Sequence, residues 1–234
     1  MRAAISSSIL ALAASSSVVI TGTPTFSLGS QSVSTPLRLS MQQDWSYVMT
    51  ANCSACPVRT YNYSQSSTFN ATVEHPLSSI TLGPDSPSPV TLSGFVAADR
   101  LCFSQQSSVS NSTIEVCLPR YEFFAVQGVS SDIFFTPETS GVLGLGFDLP
   151  NNGASFIQSL KDAGQIERLV VAVSYEGSNQ IVRIGEGVDK SDMHTYQTTN
   201  KAWKIEVRGY SFLNKTTETE YLSYAVIDSF AQGI

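Results

Sequence analysis

The sequence has little charge, and positive charge is the scarcer of the two signs. Only 14% of its 234 residues are charged, and 13 Lys and Arg against 19 Asp and Glu leave a net charge of −6. Because the basic residues form no cluster, the composition argues against a nucleic acid or an anionic membrane as partner. Beyond the N-terminus no segment approaches the roughly 20 apolar residues of a membrane span. We therefore expect neither a nucleic-acid partner nor a membrane-embedded segment.

Motifs for several kinds of chemistry are also missing. The two histidines, His75 and His194, lie far apart and lack the G-x-S-x-G context of many Ser/His/Asp hydrolases. No phosphate-binding glycine loop and no cluster of metal ligands occurs. Of the four cysteines, only Cys53 and Cys56 have the C-x2-C spacing of a zinc clip, and no helical pattern follows Cys56 to favour a redox role. We therefore expect no metal and no cofactor.

The sequence indicates that the protein is exported. Arg2 and the apolar segment 9–14 resemble a signal peptide over residues 1–20, although a frayed Ala/Ser-rich terminus is the alternative. An even number of cysteines in an exported chain indicates disulfides, and the two local pairs predict Cys53–Cys56 and Cys102–Cys117. Five Asn-X-Ser/Thr acceptor sites for N-glycosylation are present, at Asn52, Asn62, Asn70, Asn111 and Asn214.

The hydrophobic pattern predicts an all-β protein. Short segments rich in β-branched and aromatic residues alternate with clusters of Ser, Gly, Pro and Asn along most of the chain. One helix is predicted after Ser155 as N-cap, with Phe156, Ile157, Leu160 and Ala163 on its apolar face and Gly164 closing it.

The segment Ser140–Phe147 reads as a buried strand interrupted by glycine. Val142, Leu143 and Leu145 favour a core position, while Gly141, Gly144 and Gly146 carry no side chain. One interpretation is a generic tight position in a sheet. The other is that the glycines admit the close approach of a second backbone segment.

Four stretches in order resemble the pepsin-like aspartic peptidases, over about residues 23–228. They are Phe26–Gly29, Ser46–Cys56 with Tyr61–Phe69, Gly141–Phe147, and Phe156–Gly185. The resemblance implies a bilobal all-β fold with a peptide-binding cleft between the lobes. We expect a complete N-terminal lobe at 21–175 and the first part of a C-terminal lobe at 176–234.

The family's chemistry needs two aspartates that share a proton, one in an Asp-Thr/Ser-Gly turn of each lobe. Counting forward from Gly29 and back from Cys53 places the first aspartate at Ser40, within Ser-Met-Gln. Asp44 is the nearest carboxylate, but a four-residue shift along a strand is roughly 13 Å. We therefore interpret Asp44 as an ordinary surface or turn carboxylate.

The resemblance places Asp228 in the second aspartate slot, followed by Ser229 and then Phe230 instead of glycine. A strand-end aspartate that opens a turn is the equally weighted alternative for Asp228. On the hairpin that covers the substrate in the family, Leu82 takes the place of the flap tyrosine and Gly83 follows it.

Three hypotheses for the function remain. The first is a secreted, inactive homologue that binds a peptide or protein in the inter-lobe cleft, as a monomer. The second is an acid endopeptidase that uses Asp228 with an unusual partner, such as Asp44 or a carboxylate of another chain. The third is a truncated fragment without function. The expected location is extracellular, or the lumen of the secretory or lysosomal (vacuolar) pathway.

Overall fold

The computed structural model describes most of the chain. The described residues are 17–21, 25–30, 33–41, 43–56, 61–71, 77–82, 89–106, 113–130, 139–146, 155–176, 179–185, 204–212 and 215–226. They form thirteen strands, one α-helix and one turn of 3-10 helix, so the predicted all-β class is confirmed. In chain order the strands are β1 (Val18–Thr21), β2 (Thr25–Leu28), β3 (Val33–Ser40), β4 (Tyr47–Met49), β5 (Asn70–Ala71), β6 (Ser79–Leu82), β7 (Val90–Gln106), β8 (Thr113–Val129), β9 (Gly141–Gly144), β10 (Val171–Glu176), β11 (Asn179–Ile184), β12 (Lys204–Phe212) and β13 (Lys215–Val226).

The largest sheet has eight strands. Its order is β2-β3-β9-β4-β8-β7-β5, and β6 extends it by pairing with β7. Strands β7 and β8 form a long antiparallel hairpin in this sheet. Strand β9 lies between β3 and β4, parallel to β3 and antiparallel to β4. The parallel pairing brings the end of β3 level with the end of β9, which decides the geometry of the site described below.

A second sheet has the order β1-β11-β10 and is antiparallel throughout. Val18 and Ile20 of β1 and Val182 and Ile184 of β11 join the main hydrophobic core. This core therefore takes in residues beyond 175, the predicted end of the N-terminal lobe. Residues 18–20, the last of the predicted signal peptide, belong to β1; the division of the chain into signal peptide and lobes stays a prediction.

The predicted helix exists as α1 (Phe156–Asp162). The Ser155 side chain accepts a hydrogen bond from the Gln158 amide at 3.2 Å, and Gly164 follows the helix with φ of 68°. Phe156, Ile157 and Leu160 are buried, as predicted. Ala163 was wrongly placed on the apolar face: it is exposed, because the helix ends at Asp162 and Ala163 is already its C-cap.

Both predicted disulfides are present. Cys53 joins Cys56 across a short loop, and Cys102 joins Cys117 directly across the β7–β8 hairpin. No free thiol remains among the four cysteines, so they cannot form a zinc site. Strands β12 and β13 form a separate two-stranded antiparallel sheet. No helix among the described residues has the length and apolar character needed to cross a membrane.

Candidate active site

Ser40 lies at the last residue of β3, opposite Gly144 in the parallel register of β3 and β9. The backbone amide of Leu145 donates to the Ser40 carbonyl at 2.8 Å. After this pairing the described residues before β4 are Met41 and residues 43–46. We call residues 40, 41 and 43–46 the site loop. At the position where the family resemblance expects a carboxylate, the loop carries a hydroxyl.

Gly144, the last residue of β9, and Gly146, two residues further on, lie against the site loop, whereas Gly141 lies against Tyr47 and Val48 of β4. A Cβ on Gly144 would be 2.6 Å from the Gln43 carbonyl oxygen and 2.9 Å from that of Asp44. Real Cβ contacts do not occur at these distances, so the two backbones approach this closely only because residue 144 has no side chain. The Gly146 amide donates to the Gln43 carbonyl at 2.9 Å. The interpretation of these glycines as a close-approach device is confirmed.

Ser46 anchors the other end of the site loop. Its Oγ accepts a hydrogen bond from the Gly144 amide at 2.8 Å and is hydrogen-bonded to the Tyr121 hydroxyl. Its carbonyl accepts from the Phe124 amide at 2.8 Å. Ser46 and Tyr121 are both buried, and burial raises the pKa of the Tyr121 phenol above its ordinary value. Sequence reasoning missed this pair, since nothing distinguishes Ser46 from the many other serines.

Asp44 is half-buried within the site loop. Its carboxylate Oδ1 is the atom that a Cβ on Gly146 would strike first. The carboxylate therefore lies against Gly146, two residues beyond the end of β9. This placement agrees with a turn carboxylate and differs from a fully exposed one, because the missing side chain of Gly146 leaves the space that Asp44 occupies.

The pair of residues that precedes the connecting loop of the β6–β7 hairpin belongs to a second hydrophobic cluster. Leu82, paired with Val90, is 7% exposed and shares this cluster with Trp45 and Tyr47 of the site region and with Phe124. On the same hairpin Thr81 and Thr91 face solvent. At the position that the family resemblance assigns to the flap tyrosine, Leu82 carries an apolar side chain that can offer no hydrogen bond; the assignment itself stays a prediction. Gly83 and the loop up to residue 88 lie outside the described residues.

The predicted second aspartate position of the site also lies outside the described residues. Asp228, Ser229 and Phe230 are not among the described residues, nor are His75 and His194. The pairing of Ser40 with Asp228 across a cleft therefore stays a prediction, as do the acceptor sites Asn111 and Asn214.

One buried carboxylate was not anticipated. Asp99, 1% exposed, accepts hydrogen bonds from the Tyr61 hydroxyl at 2.6 Å, the Thr68 hydroxyl at 2.5 Å and the Arg100 amide at 2.7 Å. Burial and the bond to Asp99 raise the pKa of Tyr61. Three donors satisfy the carboxylate and tie residues 61–68 to β7. Asp99 therefore serves the fold and offers no open acid for catalysis.

Potential metal ligands come together once in the described part of the chain. Sγ of Cys102, Sγ of Cys117 and the Glu115 carboxylate lie within 4.8 Å of one another. Since both cysteines are in a disulfide, neither can supply the thiolate that a metal binds. The cluster gives no support for a metal centre.

A comparison with known protein families identifies one match. The family model described as "Eukaryotic aspartyl protease" matches residues 39–232, well over half of the chain and including both Ser40 and Asp228. A search of curated proteins finds no match.

Proposed function

Because this chain belongs to the eukaryotic aspartyl protease family, we propose that it is a secreted homologue without peptidase activity that binds a peptide or protein segment. The observation that carries the proposal is Ser40. An aspartic mechanism needs one carboxylate as general base on a water and a second as general acid. A serine hydroxyl is not a carboxylate and supplies neither function.

The neighbouring carboxylate does not repair the loss. Asp44 is four residues further along, and its Oδ1 is directed at Gly146 beneath the site loop. Removing one member of a catalytic unit typically lowers the rate by about 10⁴- to 10⁶-fold. Leu82 in the flap position and Phe230 after Asp228 remove two further features of the family's site.

The scaffold around the lost carboxylate is intact, and this supports binding as the retained role. The close approach of Gly144, the Gly146–Gln43 hydrogen bond and the Ser46–Tyr121 pair tie residues 43–46 to the large sheet. A rigid surface loses less conformational entropy when a ligand binds than a mobile one does. The expected ligand is an extended peptide segment in the inter-lobe cleft of a monomeric chain.

The proposed location is extracellular, or the lumen of the secretory or lysosomal pathway. Two disulfides without a free cysteine fit an oxidising compartment. The five predicted glycosylation sites and the sequence pI of about 4.8 agree with this location.

The test is to express the full chain in a eukaryotic secretory host and to assay peptide binding and acid-pH cleavage on the same preparation. We expect saturable binding of members of a peptide library and no cleavage above the level of the matched Asp228→Asn variant. Cleavage by the wild-type chain that disappears in Asp228→Asn would show an active peptidase and contradict the proposal. A correctly folded, secreted chain that binds no peptide or protein would contradict the binding role.

A further inference from the structure

Arg38 lies on the same face of β3 as Ser40. Along this strand Leu37 and Leu39 are buried, whereas Arg38 and Ser40 are half-buried. Because side chains alternate between the two faces of a strand, Arg38 and Ser40 share one face and the two leucines share the other. Two residues along a strand span roughly 7 Å. A guanidinium group therefore lies close to the position where the family resemblance expects a carboxylate.

The two faces of this part of the sheet have different surroundings. Leu39 and its partner on β9, Leu143, belong to the main hydrophobic core. On the other face Arg38 pairs with Val142 of β9, and Val142 pairs with Tyr47 of β4. Tyr47 is a member of the second hydrophobic cluster, and Val142 packs against that cluster. Arg38 therefore lies on the side of the sheet that carries the second cluster.

This side of the sheet also carries the position assigned to the flap. Leu82 belongs to the second cluster, whose members are all uncharged. Burial raises the pKa of the Tyr47 phenol, and the Arg38 guanidinium lowers it, so these two groups lie within electrostatic range of each other. Arg38 thus places a positive charge at the border of an apolar cluster. Its half-buried position strengthens its attraction for an anion, because the charge is less screened there than in water.

We propose that the peptide bound by this chain is acidic and that one of its carboxylates contacts the Arg38 guanidinium. Arginine and a carboxylate form paired N–H···O hydrogen bonds in a fixed geometry, which makes the contact selective for an acid over its amide. A guanidinium has several N–H donors, so it can bind a ligand carboxylate together with acceptors of the chain itself. The inference rests on the proposed binding role and names the chemistry of its ligand.

The net charge of the chain makes this preference a local property. At −6 the protein as a whole repels acidic ligands. Tighter binding of an acidic peptide than of its neutral twin must therefore come from a particular positive group and not from the general field of the protein. Removing the charge of Arg38 should then abolish the preference or reverse it.

The experiment compares matched peptides on the full chain secreted from a eukaryotic host. The probes are fluorescent peptides with blocked ends that carry one Glu in an apolar, otherwise uncharged sequence, together with the Gln twin of each; the Glu is moved through every position. A further pair without Glu differs only in a free or an amidated C-terminus, which separates a side-chain carboxylate from a terminal one. We expect fluorescence anisotropy to show about tenfold tighter binding of the acidic member, at one position of the peptide.

Variants of the chain assign the preference to Arg38. Arg38→Gln should remove it, and Arg38→Lys, which keeps the charge but not the paired geometry, should retain a smaller preference. The matched control is Arg120→Gln, because Arg120 is an exposed arginine of the same sheet that pairs with Glu122 at 3.0 Å. This control removes the same charge and should leave the preference unchanged.

A measurement on the wild-type chain does not depend on the folding of any variant. Phenylglyoxal modifies accessible arginines, and peptide mass spectrometry reads each of them separately. The bound acidic peptide should protect Arg38 from modification and leave Arg120 reactive.

Equal binding of the Glu and Gln twins and of the two C-terminal forms would overturn the inference, while the proposed binding role would stand. A preference that persists in a folded Arg38→Gln chain, or a bound acidic peptide that leaves Arg38 reactive, would overturn it as well. A folded chain that binds none of the peptides would instead contradict the proposed function itself.

Discussion

The hydroxyl groups of Ser46 and Tyr121 form a buried hydrogen bond across 75 residues of sequence, and the Gly144 amide donates to the same Ser46 oxygen. The bond to Tyr121 joins the end of the site loop to β8, and the bond from Gly144 joins it to β9. Ser46 is therefore the point at which two strands of the large sheet hold this loop.

Removing the Tyr121 hydroxyl should lower stability modestly. Tyr121→Phe keeps the ring, which packs edge-on against Phe156, and leaves Ser46 bonded to Gly144. We expect Tyr121→Phe to lower the free energy of unfolding by about 1 kcal/mol. Ser46→Ala should lower it by about 1–3 kcal/mol, because it leaves the buried Tyr121 hydroxyl and the buried Gly144 amide without the Ser46 oxygen.

Urea unfolding midpoints measure both variants. The matched control is Tyr63→Phe, whose hydroxyl meets only Asn52 at the exposed surface, and it should change the midpoint by little. Equal midpoints for Ser46→Ala and Tyr63→Phe would show that the buried bond contributes nothing.

A methyl group on Gly144 should disturb the site loop directly. In Gly144→Ala the new Cβ meets backbone atoms of Gln43, Asp44 and Trp45 at 2.6–3.0 Å, and backbone cannot rotate away as a side chain can. Overpacking of this kind typically costs about 1–3 kcal/mol. We also expect weaker peptide binding, because the loop must move.

Gly164→Ala is the comparison, because its Cβ would meet nothing within 4 Å and only the positive φ of 68° opposes it. This variant should lose about 1 kcal/mol and bind peptide normally. Thermal unfolding and peptide titration of both proteins provide the readout. Unchanged binding by Gly144→Ala would separate the site loop from the ligand.

Buried tyrosines should make the fold sensitive to alkali. Burial is the largest cause that raises the pKa values of Tyr47, Tyr61 and Tyr121 above the ordinary 10.0. Above about pH 10 these phenols ionise in the unfolded chain while the folded chain keeps their protons. Stability is then fully present below pH 10 and falls as the pH rises.

Tyrosinate absorbance followed together with circular dichroism tests this expectation. Part of the absorbance change should appear only with unfolding, and Tyr121→Phe should reduce that part and flatten the dependence of stability on alkaline pH. Full ionisation of all nine tyrosines in a chain that is still folded would refute it.

Local signals predicted local structure well. Ser155 and Gly164 mark the two ends of the helix, as predicted, because capping and left-handed conformations depend on a few neighbouring atoms. Both disulfides join the cysteine pairs that are nearest in sequence. Prediction failed at Ala163, because the helix ends one residue earlier, at Asp162, and Ala163 is the exposed C-cap. The burial of Asp99 escaped prediction because its two side-chain donors, Thr68 and Tyr61, lie 31 and 38 residues away.

By itself, the sequence determined the all-β class, the two cysteine pairs and the replacement of an expected aspartate by Ser40, since these depend on residue identity and spacing. Tertiary structure alone decided that β9 lies between β3 and β4, that Gly144 passes under Gln43, and that Ser46 meets Tyr121. The physical reason is that such contacts join segments distant in sequence. Their geometry is set by how the whole sheet packs, which no local pattern of residues specifies.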